Sequence, residues 1–450
     1  MFSSAHPGLR TGTRLITPAD RDYDAVRQPW NLAVDQRPAA VALPTDAAQV
    51  AEVVRAARAR GLRVAVQGGA HNPGPLGDLG DVLLLRTSAM SGVRIDAGSR
   101  VARVEAGALW DPVIAAAAEH GLYPLHGSSP NVGVVGYSLG GGLGWAARRH
   151  GLQANQIVAA ELVTAEGELL RVDADHAPEL FWALRGGAGG FGVVTALEFT
   201  LLPISTAYAG WLAWDWTESE RVLTAWAEWT RAAPEAVTSS ARIIKVPPLP
   251  EVPGPIRGRQ LVAIDGAVVG TSDEQAAAML TPLRALRPEI DTFGRVPTTA
   301  LARLHGDPEP PTPVVSDTAM LGPLDATAVA SLVDAAGPQS GSSLLLAELR
   351  QLGGALGRPA QDAGALAALD GDFVLFALAL APDHASERAG AADARTLIEA
   401  MRPWVRGRRY ANFVEVPADA EEFHDAATFA RLERIRQTVD PDGLFLPVHG

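Results

Sequence analysis

The chain contains no cysteine. Disulfides, thiolate nucleophiles, iron–sulfur clusters and cysteine-ligated zinc are thereby excluded. Lysine is almost as scarce: Lys245 is the single one among 38 basic residues, and it stands in RIIKVPPLP, outside any phosphate-loop pattern. No apolar run approaches the roughly 18 residues that would mark a membrane span. The N-terminal stretch MFSSAHPGLRTGTRLITPADRD lacks the continuous apolar core of a secretory signal, so a cytoplasmic location is expected. Positive charge is also short. A formal net charge of -13 at pH 7 argues against nucleic acid or an anionic membrane as a partner bound through a general basic field. No H-E-x-x-H occurs, and His120 with His126 has no zinc spacing, so no metal is expected. Chemistry is left to His, Tyr, Ser, Asp and Glu, or to a bound cofactor acting on a small molecule.

What the chain does have is length. At 450 residues it exceeds the roughly 250–300 residues that one core supports, so at least two domains are expected. TDAAQVAEVVRAARARG reads as a helix capped at Thr45 or Asp46, followed by a strand, LRVAV. VLLLR, VRIDA and VARVEA read as short strands, WDPVIAAAAEHG as a helix, and IVAAELVTAEGELLRV as a hairpin broken at Glu166-Gly167. PELFWALRG starts a helix at Pro178 and VVTALEFTLLP a strand. Hairpins mixed with helix–strand units favour an α+β class over a regular doubly wound sheet. From Ala207 the texture changes: Trp211, Trp214 and Trp216 stand close together, a hint of an apolar or ring-bearing substrate or else one face of a core, and prolines crowd PPLPEVPGP and DPEPPTP, read here as loops inside a second domain. The reading gives residues 1–205 as one domain with a core of about 35–205, residues 206–403 as a second, and residues 404–450 as a C-terminal segment.

Glycine gathers in three places: QGGAHNPG at 67–74, GSSPNVGVVGYSLGGGLG at 127–144 and RGGAGGFG at 185–192. One such loop reads as a tight turn. Three together point to an anion cradle of backbone N–H groups. Gly187, Gly189 and Gly192 formally match G-x-G-x-x-G, but a helix precedes and a strand follows, the reverse of the dinucleotide-binding context. Gly136-Tyr137-Ser138-Leu139-Gly140 matches the nucleophile elbow of serine hydrolases, with His424 and His449 downstream. The run into Gly141-Gly142 is a poor start for the helix that must carry such a serine, and no oxyanion segment precedes it.

Several motifs in order then carry a resemblance: W-N-x(5)-R-P from Trp30 to Pro38, the helix–strand–G-G-x-H run ending at His71, S-P-N-V-G-V-V-G-Y-S-L-G-G-G-L-G at 129–144, R-G-G-A-G-G-F-G-V-V-T at 185–195, Y-x-N at Tyr410 to Asn412 and V-D-P-D at 439–442. Over most of its length the chain resembles the FAD-linked oxidases of the vanillyl-alcohol oxidase (PCMH-type FAD-binding) superfamily, in the berberine-bridge-enzyme-like branch. The resemblance implies an α+β architecture in which the N-terminal part and the C-terminal tail bind FAD, while an inserted α+β domain on an antiparallel sheet binds the substrate. It implies that His71 bonds covalently to the flavin 8α-methyl and that Gly68, Gly69, Ala70 and Asn72 hold the pyrophosphate. Ser128, Ser129, Val132, Gly133, Gly136, Tyr137, Gly141, Gly142, Gly192, Val194 and Asn412 complete the implied cofactor contacts. Many relatives attach the flavin a second time through a cysteine where this chain has Ser129, so a singly linked flavin is expected. Two further departures bear on the pyrophosphate site: Gln67 stands where relatives commonly carry Arg, and Ala70 where they carry Gly.

The chemistry so implied is hydride transfer from a hydroxyl-bearing or similarly activated small organic molecule to flavin N5. A protein group must then take a proton. Tyr410 is the candidate base or substrate hydrogen-bond partner, with Asn412 orienting it or the ring; a buried structural tyrosine in a strand is the other reading. Glu348 and Arg350, on one face of a strand in LLLAELRQLGGA, are candidates for substrate contact or else a structural ion pair. Val132, small and three residues beyond Ser129, resembles the position that lets relatives react with oxygen, so oxygen is the expected acceptor and hydrogen peroxide the product. A dehydrogenase with another acceptor, a serine hydrolase using Ser138 and a flavin-fold protein that only binds ligand remain as alternatives. The sequence reading leaves the oligomeric state open.

Overall fold

The computed structural model describes residues 13–449; the first twelve residues of the stretch read above for a signal lie outside them. The helix Ala47–Ala59 begins where Asp46 accepts a hydrogen bond from the Gln49 N–H. Its Val50, Val53, Val54 and Ala57 fall on one side and pack on Leu83 and Leu85, the apolar stripe that a 3.6-residue period places toward a sheet. That sheet has four strands in the order Leu15–Ile16, Ala40–Ala42, Val82–Arg86, Arg63–Gln67. The first pair is antiparallel and the rest parallel. The chain's end returns to it: Val64 N–H donates to the Leu444 carbonyl at 2.7 Å and Leu446 N–H to the Val64 carbonyl at 2.8 Å.

A second sheet, antiparallel throughout, is ordered Val93–Asp96, Val101–Glu105, Val193–Thr200, Ile157–Val163, Leu169–Asp173. The hairpin read from the sequence at Glu166-Gly167 is its edge.

The third sheet has eight strands and is also antiparallel. From its middle to one edge it runs Gln260–Val268, Val237–Lys245, Leu346–Gln351, Phe373–Leu380, Val314–Leu321, the last being the edge strand. One face is covered by the helices Ser219–Thr230, Asp273–Arg284, Ala326–Ala336 and His384–Ala400, and that core takes Leu349, Leu375, Ala377 and Ile243. Strand alternation sends their neighbours to the opposite face. There Arg350 pairs with Ser240 and Val374, Glu348 with Arg242 and Phe376, and Leu346 with Ile244 and Leu378. Leu378 in turn pairs with Ser316.

This face is fastened to the glycine-rich segment by Arg148. Its guanidinium donates to the carbonyls of Leu352, Pro234, Val237 and Ala233. No helix among the described residues is long and apolar enough to cross a membrane.

The tryptophans of WLAWDW correct one hint from the sequence. Trp214 is in the helix-covered core, Trp211 lies under Arg242 with its ring 4.4 Å from the guanidinium carbon, and Trp216 packs at the edge of the same core. None lines the cavity described next; the tryptophan there is Trp30.

Candidate active site

A cavity of about 420 Å³ opens between the four-stranded sheet's loops and the uncovered face of the eight-stranded sheet. Gly68, Gly69, Ala70, His71 and Asn72 line it, as do Ser128, Ser129, Val132, Gly133, Gly136 and Tyr137 from the second loop, and Gly192 and Val194 from the third. The far wall carries Glu348 and Arg350, and the C-terminal segment brings Tyr410 and Asn412. Gly141 and Gly142 depart from the expected set, for they are not on the wall. Both have positive φ, and a Cβ on either would lie within 2.9 Å of the rings of Tyr410 and Tyr137 respectively; they let those tyrosines pack. Gly140 is similarly required, since its Cβ would fall 1.8 Å from Asn412 Oδ1.

The loop after the strand Arg63–Gln67 is built to receive an anion. The backbone N–H groups of Gly68 through Asn72 donate to no acceptor among the described residues. The side-chain amide of Gln67 is buried with both polar atoms unpartnered, and Asn72 Oδ1 is unpartnered too. Buried polar atoms without partners signal a missing ligand, and consecutive free N–H groups suit a pyrophosphate. These residues fit FAD. Ala70 sits at φ 55, in the left-handed region that a glycine would occupy without strain.

His71 follows directly. Its ring stacks on Trp30 with centroids 4.2 Å apart and planes 15° from parallel. Nε2 lies 3.2 Å from the Asn131 carbonyl, which can only accept, so Nε2 carries the proton and Nδ1 the lone pair. Burial pushes the imidazole down to about 4, against the Asn131 hydrogen bond, so at neutral pH the ring is uncharged. Ser129 cannot form a thioether. Its hydroxyl and that of Ser128 donate to Asp307 Oδ2 at 2.9 and 3.0 Å.

Opposite this loop, charges form a chain. Asp265 accepts from Arg242 Nη2 and from His305 Nδ1, each at 2.8 Å. His305 Nε2 lies 3.2 Å from Glu348 Oε1, which accepts from Arg350 Nε at 2.6 Å. Burial and Arg242 push His305 down, yet the carboxylates of Glu348 and Asp265 outweigh them and raise it to about 9. Burial raises Glu348, but Arg350 and His305 overcome it and hold the carboxyl well below its usual range. With His305 protonated, Arg242, His305 and Arg350 balance Asp265, Glu348 and Asp307. Arg350 lines the cavity together with Glu348, His305 and Asp307, its guanidinium carbon 5.0 Å from the Phe413 ring centroid. The pair Glu348–Arg350 is thus both an ion pair and a cavity wall.

Tyr410 is buried in the segment preceding a short 3-10 turn, not in a strand. Burial raises its hydroxyl, opposed by the Gly142 N–H and by Asn412. Asn412 Nδ2 donates to Tyr410 Oη at 3.2 Å and to the Tyr137 carbonyl at 2.9 Å. Ser138 is fully buried in the helix Val134–Leu139, and its Oγ has no hydrogen-bond partner, histidine included, among the described residues. Among the described residues no group of three or more His, Asp or Glu side chains could hold a metal.

Sequence reasoning missed Trp30 as a partner of His71, and it missed His305, Asp307, Phe413 and Glu415 as wall residues. Asp307 lay in DPEPPTP, read only as a loop; Phe413 and Glu415 follow Y-x-N closely enough that their spacing could have flagged them.

Comparisons with known proteins agree with this geometry. Residues 38–173 match the model of an FAD binding domain. The chain is similar to (R)-6-hydroxynicotine oxidase of Paenarthrobacter nicotinovorans, 34% identical over 221 residues, 49% of this chain and 48% of that one. The match thus spans about half the length of that relative. An FAD-linked oxidoreductase of Bacillus subtilis, YgaK, is 26% identical over 96% of this chain and 95% of its own. In three dimensions the chain is similar to wild-type BBE-like 1 of Physcomitrella patens, with a TM-score of 0.85 at 19% identity, over 98% of each chain; that agreement concerns the fold. Residues 38–173 thus carry an FAD-binding domain; beyond it the chain is similar to FAD-linked oxidoreductases, and its fold is that of the berberine-bridge-enzyme-like proteins.

Proposed function

We propose that the chain is an FAD-dependent oxidase that converts a hydroxyl-bearing or similarly activated small organic molecule, with oxygen as acceptor and hydrogen peroxide as product. One observation carries the reading: a single cavity runs from the unpartnered N–H groups of Gly68 to Asn72 to the sheet face bearing Glu348 and Arg350. Bound FAD supplies the two-electron sink for the substrate's hydride. The division proposed is residues 1–205 with 404–450 for the cofactor and 206–403 for the substrate.

The protein's own part is positioning. Gln67, Gly68, Gly69, Ala70 and Asn72 hold the pyrophosphate, and His71, neutral with Nδ1 available, is the one covalent link. Arg350 offers a hydrogen-bond donor to the substrate oxygen, and Glu348 with His305 fixes it there. Tyr410 keeps its proton at neutral pH and serves as a hydrogen-bond partner, oriented by Asn412. Leu346, Phe376, Leu378 and Phe413 on the wall favour a substrate with a sizeable apolar or ring-bearing body. Val132 lies on the same wall and supports oxygen as the acceptor through the family resemblance.

The test is a purified yellow protein mixed anaerobically with candidate alcohols, then exposed to air. Bleaching of the flavin bands followed by oxygen consumption with stoichiometric peroxide is expected. Bleaching that air does not reverse would replace the oxidase reading with a dehydrogenase; a protein without flavin would end both.

A further inference from the structure

Three carboxylates face the cavity: Glu348, Asp307 and Glu415. The first is locked between Arg350 and His305, and the second accepts from two serines. Glu415 is different. It follows Tyr410-x-Asn412 in a segment where Val414 is turned into the core while Phe413 and Glu415 line the cavity.

The backbone there is clamped to the loop that carries His71. Asn72 Nδ2 donates to the Val414 carbonyl at 2.9 Å, and Gly74 packs so closely that a Cβ would fall 2.0 Å from the Glu415 carbonyl oxygen. The side chain has one partner, Ser316 Oγ, which donates to Oε2 at 2.8 Å. Phe413, two residues earlier, lies 5.0 Å from the Arg350 guanidinium carbon and 5.3 Å from the Phe376 ring. Glu415 therefore opens onto the same slot that Arg350 bounds.

We infer that Glu415 is the group that takes the substrate's hydroxyl proton, through the carboxylate oxygen that Ser316 does not hold. The inference rests on the oxidase reading above. The O–H proton would pass to Glu415 as the C–O bond becomes C=O, and bound FAD would supply the two-electron sink for the carbinol hydrogen and its bonding pair. No further co-reactant is needed to balance the step.

The surroundings suit the role. From the loop 67–76 the titratable neighbour is His71, held neutral by burial. From the strand Val314–Leu321, Ser316 faces it, while Asp317 points to the other side and pairs with Arg409 at 3.7 Å. The strand Phe373–Leu380 contributes Phe376 and Leu378, and the segment itself the protonated Tyr410. The charged pair Glu348–Arg350 stands two strands across. Burial, opposed by Ser316, thus pushes Glu415 up to about 7, where a general base has both a populated carboxylate and driving force for proton transfer.

Infrared difference titration of the FAD-loaded protein tests this first. A carboxylic-acid carbonyl band should vanish with a midpoint of about 7, be absent in Glu415→Gln, and shift to higher pH in Ser316→Ala. Anaerobic flavin reduction by benzyl alcohol and by cellobiose, as two classes of alcohol, tests it second. The rate should rise through the same midpoint, fall by about 10²-fold or more in Glu415→Gln, and keep its pH dependence in Glu415→Asp. A parent that neither alcohol reduces fails the oxidase reading and the role of Glu415 with it. A parent that an alcohol reduces, with Glu415→Gln alike in rate and pH profile, or an infrared band that survives that substitution, overturns the assignment of Glu415 alone.

Discussion

At the residue scale the most exacting arrangement is the buried chain from Asp265 to Arg350. Its members are almost without solvent: Glu348 and His305 side chains are each 1% exposed. Removing one partner leaves an uncompensated charge, which in a buried pair costs about 3–5 kcal/mol. Glu348→Ala should therefore lower the unfolding free energy by about that amount, measured by urea denaturation. Arg350→Met, with a similar volume, should keep FAD content and lower kcat/KM by roughly tenfold or more, as loss of a hydrogen bond from a charged donor does. Unchanged kinetics in Arg350→Met would remove Arg350 from substrate contact and leave the ion pair structural. Ala70 makes an independent statement. At φ 55 it is strained, and Ala70→Gly should stabilise the fold by about 0.5–1 kcal/mol, the left-handed relief less the extra chain entropy of glycine.

At the element scale much was legible in advance. The helix Ala47–Ala59, its Asp46 cap, the hairpin at Glu166-Gly167 and the helix from Pro178 follow from local patterns: an apolar stripe, a cap and a turn. Glu348 and Arg350 shared a face because alternation is a local rule. What could not be read was which strands neighbour each other. Placing Ser316 beside Leu378, and Leu378 beside Leu346, requires the non-sequential order of the eight-stranded sheet, and no local pattern encodes it. For the same reason Trp211 and Trp214 gave a misleading hint, being three residues apart in a strand and hence on opposite faces. His305 and Asp307 were hidden in a proline-rich loop whose contacts with Asp265 and Ser129 span long stretches of chain. The glycine loops were recognisable as a cradle, but the packing task of Gly141 and Gly142 against two tyrosines depends on tertiary contacts. Asp46→Ala, which removes the cap bond to Gln49, should cost about 1 kcal/mol by thermal or chemical denaturation, without loss of flavin.

At the scale of the whole molecule, buried titrating groups set the response to pH. Burial holds His126, His424 and His449 neutral, each pushed down to about 4. Their folded values lie below the unfolded value of about 6.5, so the folded state binds fewer protons in that window. Stability is then full above about 6.5 and is lost as pH falls toward 4. His305, raised to about 9, acts in the opposite sense: its contribution is complete below about 6.5 and disappears as pH rises through 9. Melting temperatures should form a dome, falling on the acid side with the histidines and on the alkaline side with His305. His126 is fully buried, and each pKa unit is worth about 1.4 kcal/mol. His126→Gln should therefore make the acid limb visibly shallower; a limb of unchanged slope would assign acid unfolding to other groups.

The account's central claim is a cradle for FAD with His71 as the one covalent tether and Ser129 engaged elsewhere. Intact mass measurement after acid precipitation addresses it most directly. The account predicts a polypeptide heavier by one FAD, with the supernatant colourless, and a His71→Ala protein that releases its flavin on precipitation. Flavin set free from the parent protein by acid, or still attached in His71→Ala, would contradict it.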